Sequence, residues 1–83
     1  GTEYDYNENG VVILKSCFLY NTDGTRERTQ YWLYNDSGLM ESYSLFVFNP
    51  DGTTTHTTYF YDEQGNTMDV SQRILDENDN VIG

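Results

Sequence analysis

Positive charge is scarce in this chain of 83 residues, which has four lysine and arginine side chains against 14 acidic ones and a formal charge of −10. Proteins bind phosphate backbones through cationic side chains that release counterions, so we expect no nucleic-acid partner. Long apolar segments are also missing, because the longest aliphatic run, residues 11–14, is far shorter than the roughly 20 residues of a membrane-spanning helix. We therefore expect no membrane span.

Cysteine is nearly absent as well. The single cysteine, Cys17, excludes an intrachain disulfide, a thiolate metal cluster and a Cys-x-x-Cys redox pair. The length predicts one β-repeat domain over residues 1–83, with a thin core, since a chain this short buries only about 60% of its unfolded surface. Acidity favours disorder, but aromatic residues make up 16% of the chain, which indicates a folded domain.

Glycine recurs at a nearly fixed interval along the chain. Gly10, Gly24, Gly38, Gly52 and Gly65 are separated by 14, 14, 14 and 13 residues, and Asp79 stands 14 residues further on. At most of these positions, the six preceding residues follow one ordered pattern. It runs from an aromatic residue through any residue, a second aromatic residue and Asn or Asp to two further residues of any type. Self-similarity of this kind is the signature of a repeat architecture.

The part of the repeat that recurs along the chain has the composition of a tight turn. Asn or Asp opens a type I turn, and glycine takes the left-handed position that closes a three-residue hairpin loop. The residues between turns are rich in Thr, Tyr, Phe, Val and Ile, which is strand composition. The sequence therefore predicts an all-β antiparallel meander of about five long strands and two short edge strands, at residues 2–6, 11–20, 25–34, 39–48, 53–61, 66–75 and 80–83.

Neither predicted face of this sheet is wholly polar. Three arrangements remain open: a small closed barrel, a single curled sheet, or a sheet that a partner molecule completes. The strand at residues 53–61 is one residue shorter than the others, which predicts a bulge near Thr57. The face on which His56 lies therefore stays open.

Pairing counted outward from each turn predicts that ten of the thirteen aromatic residues share one face. Arg26 is expected between Tyr20 and Phe48, and Arg28 between Phe18 and Phe46, where guanidinium groups stack on rings. Tyr31 and Tyr43 are predicted to pair on the other face. The candidate ligand-binding residues of the aromatic face are Tyr20, Arg26, Arg28, Trp32, Tyr34, Phe46 and Phe48.

The sequence contains no recognisable catalytic constellation. His56 is the only histidine and has no serine or cysteine at the spacing of a nucleophile and base pair. Most carboxylates fall in predicted turns, where they cap backbone groups. Residues 76–80 resemble the start of a calcium loop, but the following glycine and the distal glutamate are missing. We therefore expect no enzyme, no bound metal and no cofactor.

Residues 59–66, Tyr-Phe-Tyr-Asp-Glu-Gln-Gly-Asn, resemble the tyrosine-aspartate (YD, Rhs-type) repeat of bacteria, and other copies in the chain match it with Asn in place of Asp. The resemblance implies a secreted, periplasmic or cell-surface bacterial β-repeat protein, close to short tyrosine-rich secreted proteins of Bacteroidetes. Residues 32–40 are also similar to choline- and glucan-binding repeats of bacterial surface proteins.

Two functions remain open. The first is a non-enzymatic module that binds carbohydrate or a surface protein through its aromatic face, since exposed rings in a row suit sugar rings and peptides. The second is a purely structural repeat that self-associates, as a homodimer, through a sheet face.

Overall fold

The computed structural model describes all 83 residues as one antiparallel sheet. Its six strands are Thr2–Tyr6 (β1), Val12–Tyr20 (β2), Arg26–Tyr34 (β3), Met40–Phe48 (β4), Thr54–Tyr61 (β5) and Thr67–Leu75 (β6). Each strand pairs with its neighbours along the chain, so the all-β meander predicted from the repeat is confirmed. The sheet is open, because β1 and β6 do not pair with each other, and the barrel arrangement is not formed. No helix is present that could cross a membrane.

The strand ends differ slightly from the sequence prediction. The long strands begin one residue later than expected, because the residue after each glycine still belongs to the turn. In the first hairpin, for example, the Asn7 amide donates to the carbonyl oxygen of Val11 at 2.9 Å. The predicted seventh strand at residues 80–83 is reduced to a single bridge between Leu75 and Val81.

The six turns all have the predicted backbone conformation. We number them by residues 7–11 (turn 1), 21–25 (turn 2), 35–39 (turn 3), 49–53 (turn 4), 62–66 (turn 5) and 76–80 (turn 6). The glycine of turns 1 to 5 has a positive φ, and Asp79 takes the same conformation in turn 6 with φ 65°. An L residue is strained there, which explains why glycine recurs at this position.

Four of the five hairpins contain one additional unpaired residue after the turn. In the β2–β3 hairpin, Tyr20 pairs with Arg26 while Leu19 pairs with Arg28, so Glu27 is skipped. The corresponding skipped residues of the other three hairpins are Ile13, Glu41 and Met68. The β4–β5 hairpin has no such residue, and its pairing runs without interruption from Ser42 opposite Phe60 to Phe48 opposite Thr54. The bulge predicted near Thr57 is therefore wrong: the 13-residue interval marks the hairpin that lacks a bulge.

The skipped residues redistribute the aromatic side chains between the two faces. One face, which we call the tyrosine face, carries Tyr4, Tyr6, Trp32, Tyr34, Tyr43, Tyr59 and Tyr61. The other, the phenylalanine face, carries Phe18, Tyr20, Tyr31, Phe46, Phe48 and Phe60. The prediction of ten aromatic residues on one face is wrong, because each bulge reverses the alternation that was counted outward from its turn. Tyr31 and Tyr43 lie on opposite faces and do not pair.

The sheet has no second layer to cover it. Only five of the 83 residues are buried, and Leu75 is the only apolar one among them. The other four are the polar residues Ser16, Thr29, Thr54 and Thr57. Hydrogen bonds along the sheet and contacts within each face, not a packed core, hold this chain in its conformation.

Candidate ligand-binding site

A cavity of about 260 Å³ lies on the phenylalanine face, at the end of the sheet that carries turns 2, 4 and 6. We call it the Arg26 cavity. Side chains from β3, β4, β5, β6 and turn 6 line it: Arg26, Thr29, Tyr31, Phe46, Phe48, Thr54, Leu75 and Asp79. It therefore combines aromatic rings with a cation, a carboxylate and hydroxyl groups.

Arg26 is placed over the ring of Phe48 by the bulge at the start of β3. Its guanidinium carbon lies 4.5 Å from the ring centroid, as the sequence predicted for this pair. Tyr20 is the cross-strand partner of Arg26 and is 55% exposed. No carboxylate forms an ion pair with Arg26, so its hydrogen-bond donors are available to a ligand.

The aromatic wall of the cavity is held by ring contacts across four strands, β2 to β5. Tyr31 meets Phe46 edge to face at 5.8 Å, and Phe18 in the same manner at 6.2 Å. The ring of His56 stacks on Phe46 at 4.0 Å with an interplanar angle of 9°. Such pairs fix the ring orientations, so Phe46 and Tyr31 form a preformed surface.

Two polar groups complete the cavity. Thr29 is only 3% exposed, and its Oγ1 has no hydrogen-bond partner, a situation that costs about 1–3 kcal/mol for a buried hydroxyl. Asp79 reaches the cavity from the strained left-handed position of turn 6. Of the six turn positions with this left-handed conformation, it is the one that is not occupied by glycine.

Arg26 and Phe48 also line a second depression, of about 500 Å³, between turns 2 and 4. Each of these two turns contains the same internal hydrogen bonds. Asp23 in turn 2 and Asp51 in turn 4 accept from the amide and the hydroxyl of the threonine that follows the glycine, at 2.6–2.9 Å. The hydroxyls of Thr25 and Thr53, followed by their amides, lower the pKa of Asp23 and Asp51. The two depressions have Arg26 and Phe48 in common in their linings.

Four of the seven predicted site residues come together here, and three do not. Arg26, Phe46 and Phe48 line the Arg26 cavity, and Tyr20 lies beside Arg26. The other three, Arg28, Trp32 and Tyr34, lie on the tyrosine face. Arg28 is flanked by Leu19 and Val47 instead of Phe18 and Phe46, and it pairs with Glu27 at 3.5 Å. The skipped residue Glu27 is the reason, since it turns Arg28 to the opposite side from Arg26.

A row of side chains on the tyrosine face includes Trp32. The ammonium group of Lys15 lies 4.7 Å from the Trp32 ring centroid and 5.8 Å from that of Tyr4. Tyr43 follows at 5.3 Å from Trp32, and Tyr59 at 6.1 Å from Tyr43. These rings contact one another across strands, so they stabilise the sheet and leave less ring surface for a ligand.

Sequence reasoning missed several residues of the Arg26 cavity. Asp79 carried a usable signal, because an Asp at a position that favours glycine is a strained choice that calls for a reason. Thr29, Thr54 and Leu75 carried none, since their approach depends on the register of three hairpins.

No protein-family model matches the chain, and no curated protein matches it. Among solved structures, the chain is similar to the crystal structure of a DUF3836 family protein from Parabacteroides distasonis, with 19% sequence identity over 94% of both chains and a TM-score of 0.34. A likeness at this level supports no statement about fold or function.

Proposed function

We propose that the protein is a non-enzymatic carbohydrate-binding module that holds a sugar in the Arg26 cavity. The observation that carries the proposal is the guanidinium of Arg26, free of any carboxylate and stacked on Phe48, at the mouth of an aromatic cavity. Sugars present an apolar C–H face and a rim of hydroxyls, and this cavity offers rings for the first and polar groups for the second.

The chemistry of the lining matches both parts of a sugar. Phe46, Phe48 and Tyr31 supply apolar ring surface, and Arg26 donates hydrogen bonds. Asp79 accepts hydrogen bonds from hydroxyl groups. A ligand hydroxyl bonded to Thr29 would also remove the cost of its unpartnered oxygen. Hydrogen-bond donors and acceptors on opposite sides of an apolar surface fix the orientation of a bound polyol and also contribute to its affinity.

The size of the cavity limits what enters it. At about 260 Å³ it is smaller than the roughly 300–1,000 Å³ of sites for drug-sized ligands, which suits one monosaccharide unit. The depression between turns 2 and 4 then accommodates the next unit of an oligosaccharide.

We place this binding outside the bacterial cytoplasm, on a secreted, periplasmic or cell-surface protein. The similarity of residues 59–66 to tyrosine-aspartate repeats supports that location. We infer binding without catalysis because Asp79 is the only carboxylate in the cavity lining, with no histidine or cysteine beside it. A general acid and base pair needs a second titratable group within reach of the substrate.

Two arginine variants test the proposal with a control built into the chain. Arg26→Gln removes the guanidinium from the cavity, and Arg28→Gln makes the same change two residues further on, on the opposite face. We would screen the protein on an array of neutral and uronate oligosaccharides and titrate the best probe by calorimetry. We expect Arg26→Gln to weaken binding about 10- to 100-fold, as for a lost charged hydrogen bond, and Arg28→Gln to leave binding unchanged.

Either of two results would contradict sugar binding at this cavity. One is the absence of binding to every oligosaccharide on the array. The other is an equal loss of affinity in both arginine variants, which would mean that the bound probe is not held by the phenylalanine face.

Self-association through a sheet face is the second candidate function. The specific observation in its favour is the single layer, in which only five residues of the chain are buried. We propose it beside sugar binding because the two use different surfaces and do not exclude each other.

A further inference from the structure

The two faces of the sheet differ sharply in charge. The chain has 14 acidic residues, and none of them occupies a paired position of the tyrosine face. Nine lie in turns: Glu8, Asp23, Asp36, Asp51, Asp62, Glu63, Asp76, Glu77 and Asp79. Two lie at bulges, Glu27 and Glu41, and three on the phenylalanine face, Glu3, Asp5 and Asp69. In a protein of charge −10, a face whose paired positions carry no acidic residue is a distinctive surface.

The composition of the tyrosine face is that of a protein–protein interface. It carries six tyrosines, the only tryptophan and Met40. Tyr, Trp, Met and Arg are enriched in interface cores, whereas Asp and Glu are depleted there and gather at the rim. The turn carboxylates occupy the position of such a rim, at both ends of the strands.

The two cations of this face already have partners within the chain. The Lys15 ammonium lies between the rings of Tyr4 and Trp32. One Nη of Arg28 lies 3.5 Å from the Glu27 carboxylate, whereas the buried Nε of Arg28 has no hydrogen-bond partner. Covering the face would therefore not leave an isolated charge without compensation.

We propose that the tyrosine face is a homodimer interface, in which two copies pack their tyrosine faces against each other as a sandwich. A sheet of six strands, most of them nine residues long, presents roughly 800 Å² per face from standard strand dimensions. That equals the area per partner of a stable interface. Apolar side chains such as Tyr4, Val70 and Ile74, which are 38–51% exposed, would lose contact with water.

A second copy accounts for this surface better than an open stack does. If the tyrosine face packed on the phenylalanine face of the next copy, a free face would remain at each end and association would continue without limit. A two-fold pair uses both tyrosine faces and closes. It also leaves the Arg26 cavity on the outside of each copy, where a ligand reaches it.

This interface deepens the proposed self-association, on which it rests, and is independent of sugar binding. The experiment compares two double variants that each add two negative charges. Gln30→Glu with Gln72→Glu places carboxylates on the tyrosine face, where the hydroxyls of Tyr43 and Thr57 can still bond them. Ser44→Asp with Ser71→Asp places them on the phenylalanine face. Circular dichroism checks that both variants fold.

Light scattering after size-exclusion chromatography, over a dilution series, measures the dimer dissociation constant. We expect a dimer for the unchanged chain and a dissociation constant raised at least ~100-fold by the glutamine variants, because carboxylates without counterions would be buried. The serine variants should change it less than about threefold. A dimer weakened by the serine variants alone would leave self-association standing and overturn the tyrosine face as its interface. A monomer at every concentration would overturn both.

A second measurement on the unchanged chain needs no variant. Cys17 and Trp32 both lie on the tyrosine face, and Cys17 is the single thiol. We expect the rate of thiol alkylation and the quenching of tryptophan fluorescence by acrylamide to fall as the protein concentration rises through the dissociation constant. Equal accessibility of both groups in monomer and dimer would overturn the interface.

Discussion

His56 shows how a residue on the neighbouring strand sets the state of a single side chain. The Arg73 Nε donates a hydrogen bond to His56 Nδ1 at 3.2 Å, so Nδ1 must carry a lone pair. The neutral ring then bears its proton on Nε2, which lies 3.0 Å from the Thr58 hydroxyl. A second proton would break the bond to Arg73 and bring two cations next to each other. Burial, and then the charge of Arg73, lower the pKa of His56.

A pH dependence of stability follows from the lowered pKa of His56. The unfolded chain takes up the histidine proton near pH 6.5, at a higher pH than the folded chain does. Protonation therefore favours the unfolded state, and the free energy of unfolding decreases as the pH falls below about 6.5. We expect His56→Gln to show a smaller decrease between about pH 6.5 and 5, where carboxylates remain ionised. Urea denaturation at several pH values measures this difference, and equal slopes in both proteins would contradict it.

At the scale of elements, the repeat consists of a 13-residue hairpin unit with or without one bulge residue. The interval of 13 residues between Gly52 and Gly65 contains the hairpin without a bulge, and the intervals of 14 residues contain the others. The length of each interval thus reports whether its hairpin has a bulge. A strand position is therefore assigned to a face correctly only when its skipped residue is left out of the count.

Deleting one residue from β3 tests the role of the bulge. Removal of Glu27 leaves Tyr20 opposite Arg26 and Leu19 opposite Arg28, as in the uninterrupted β4–β5 hairpin. We expect this deletion to change the free energy of unfolding by no more than about 1 kcal/mol, as for an exposed position. Removal of Gln30 instead moves the side chains on one side of the deletion in β3 to the opposite face of the sheet. We expect the folded state to be lost in this variant. Thermal melts followed by circular dichroism compare the two, and equal effects would contradict the bulge assignment.

At the scale of the whole molecule, the sheet has no second layer, and we therefore expect its stability to depend on association. A ligand or partner that binds only the folded state raises the melting temperature, and the increase grows with the logarithm of its concentration. For a dimeric chain of 83 residues, we expect a 100-fold increase in protein concentration to raise the melting temperature by about 5–10 °C. Scanning calorimetry measures it, and a constant melting temperature would indicate that the sheet is stable alone.

We expect salt to act on the equilibrium between monomer and dimer. Two copies of charge −10 bring their turn carboxylates close together around the interface, and this repulsion is screened over a Debye length of about 10 Å at 0.1 M salt. The dimer should therefore become tighter as salt is added, whereas an interface held by ion pairs would become weaker.

The sequence by itself determined the turns, the five long strands and the order in which the strands pair. Those features depend on local chemistry, since a left-handed glycine after an Asn or Asp turn reverses the chain at one place whatever else surrounds it. The contact of Arg26 with Phe48 was also predicted correctly, because the skipped residues Glu41 in β4 and Glu27 in β3 cancel each other between turn 3 and this pair.

Only the tertiary structure decided which face each central side chain occupies. A single skipped residue, such as Glu27, changes only the length of its glycine interval, and that length gains its meaning only once the pairing register is known, yet the skip reverses the alternation of every residue beyond it. For this reason Arg28, Trp32 and Tyr34 lie opposite the cavity that holds Arg26, Phe46 and Phe48. Thr29 and Asp79 meet there because three successive hairpins bring β3 and turn 6 together, a relation between residues too far apart in the chain for any local pattern to encode.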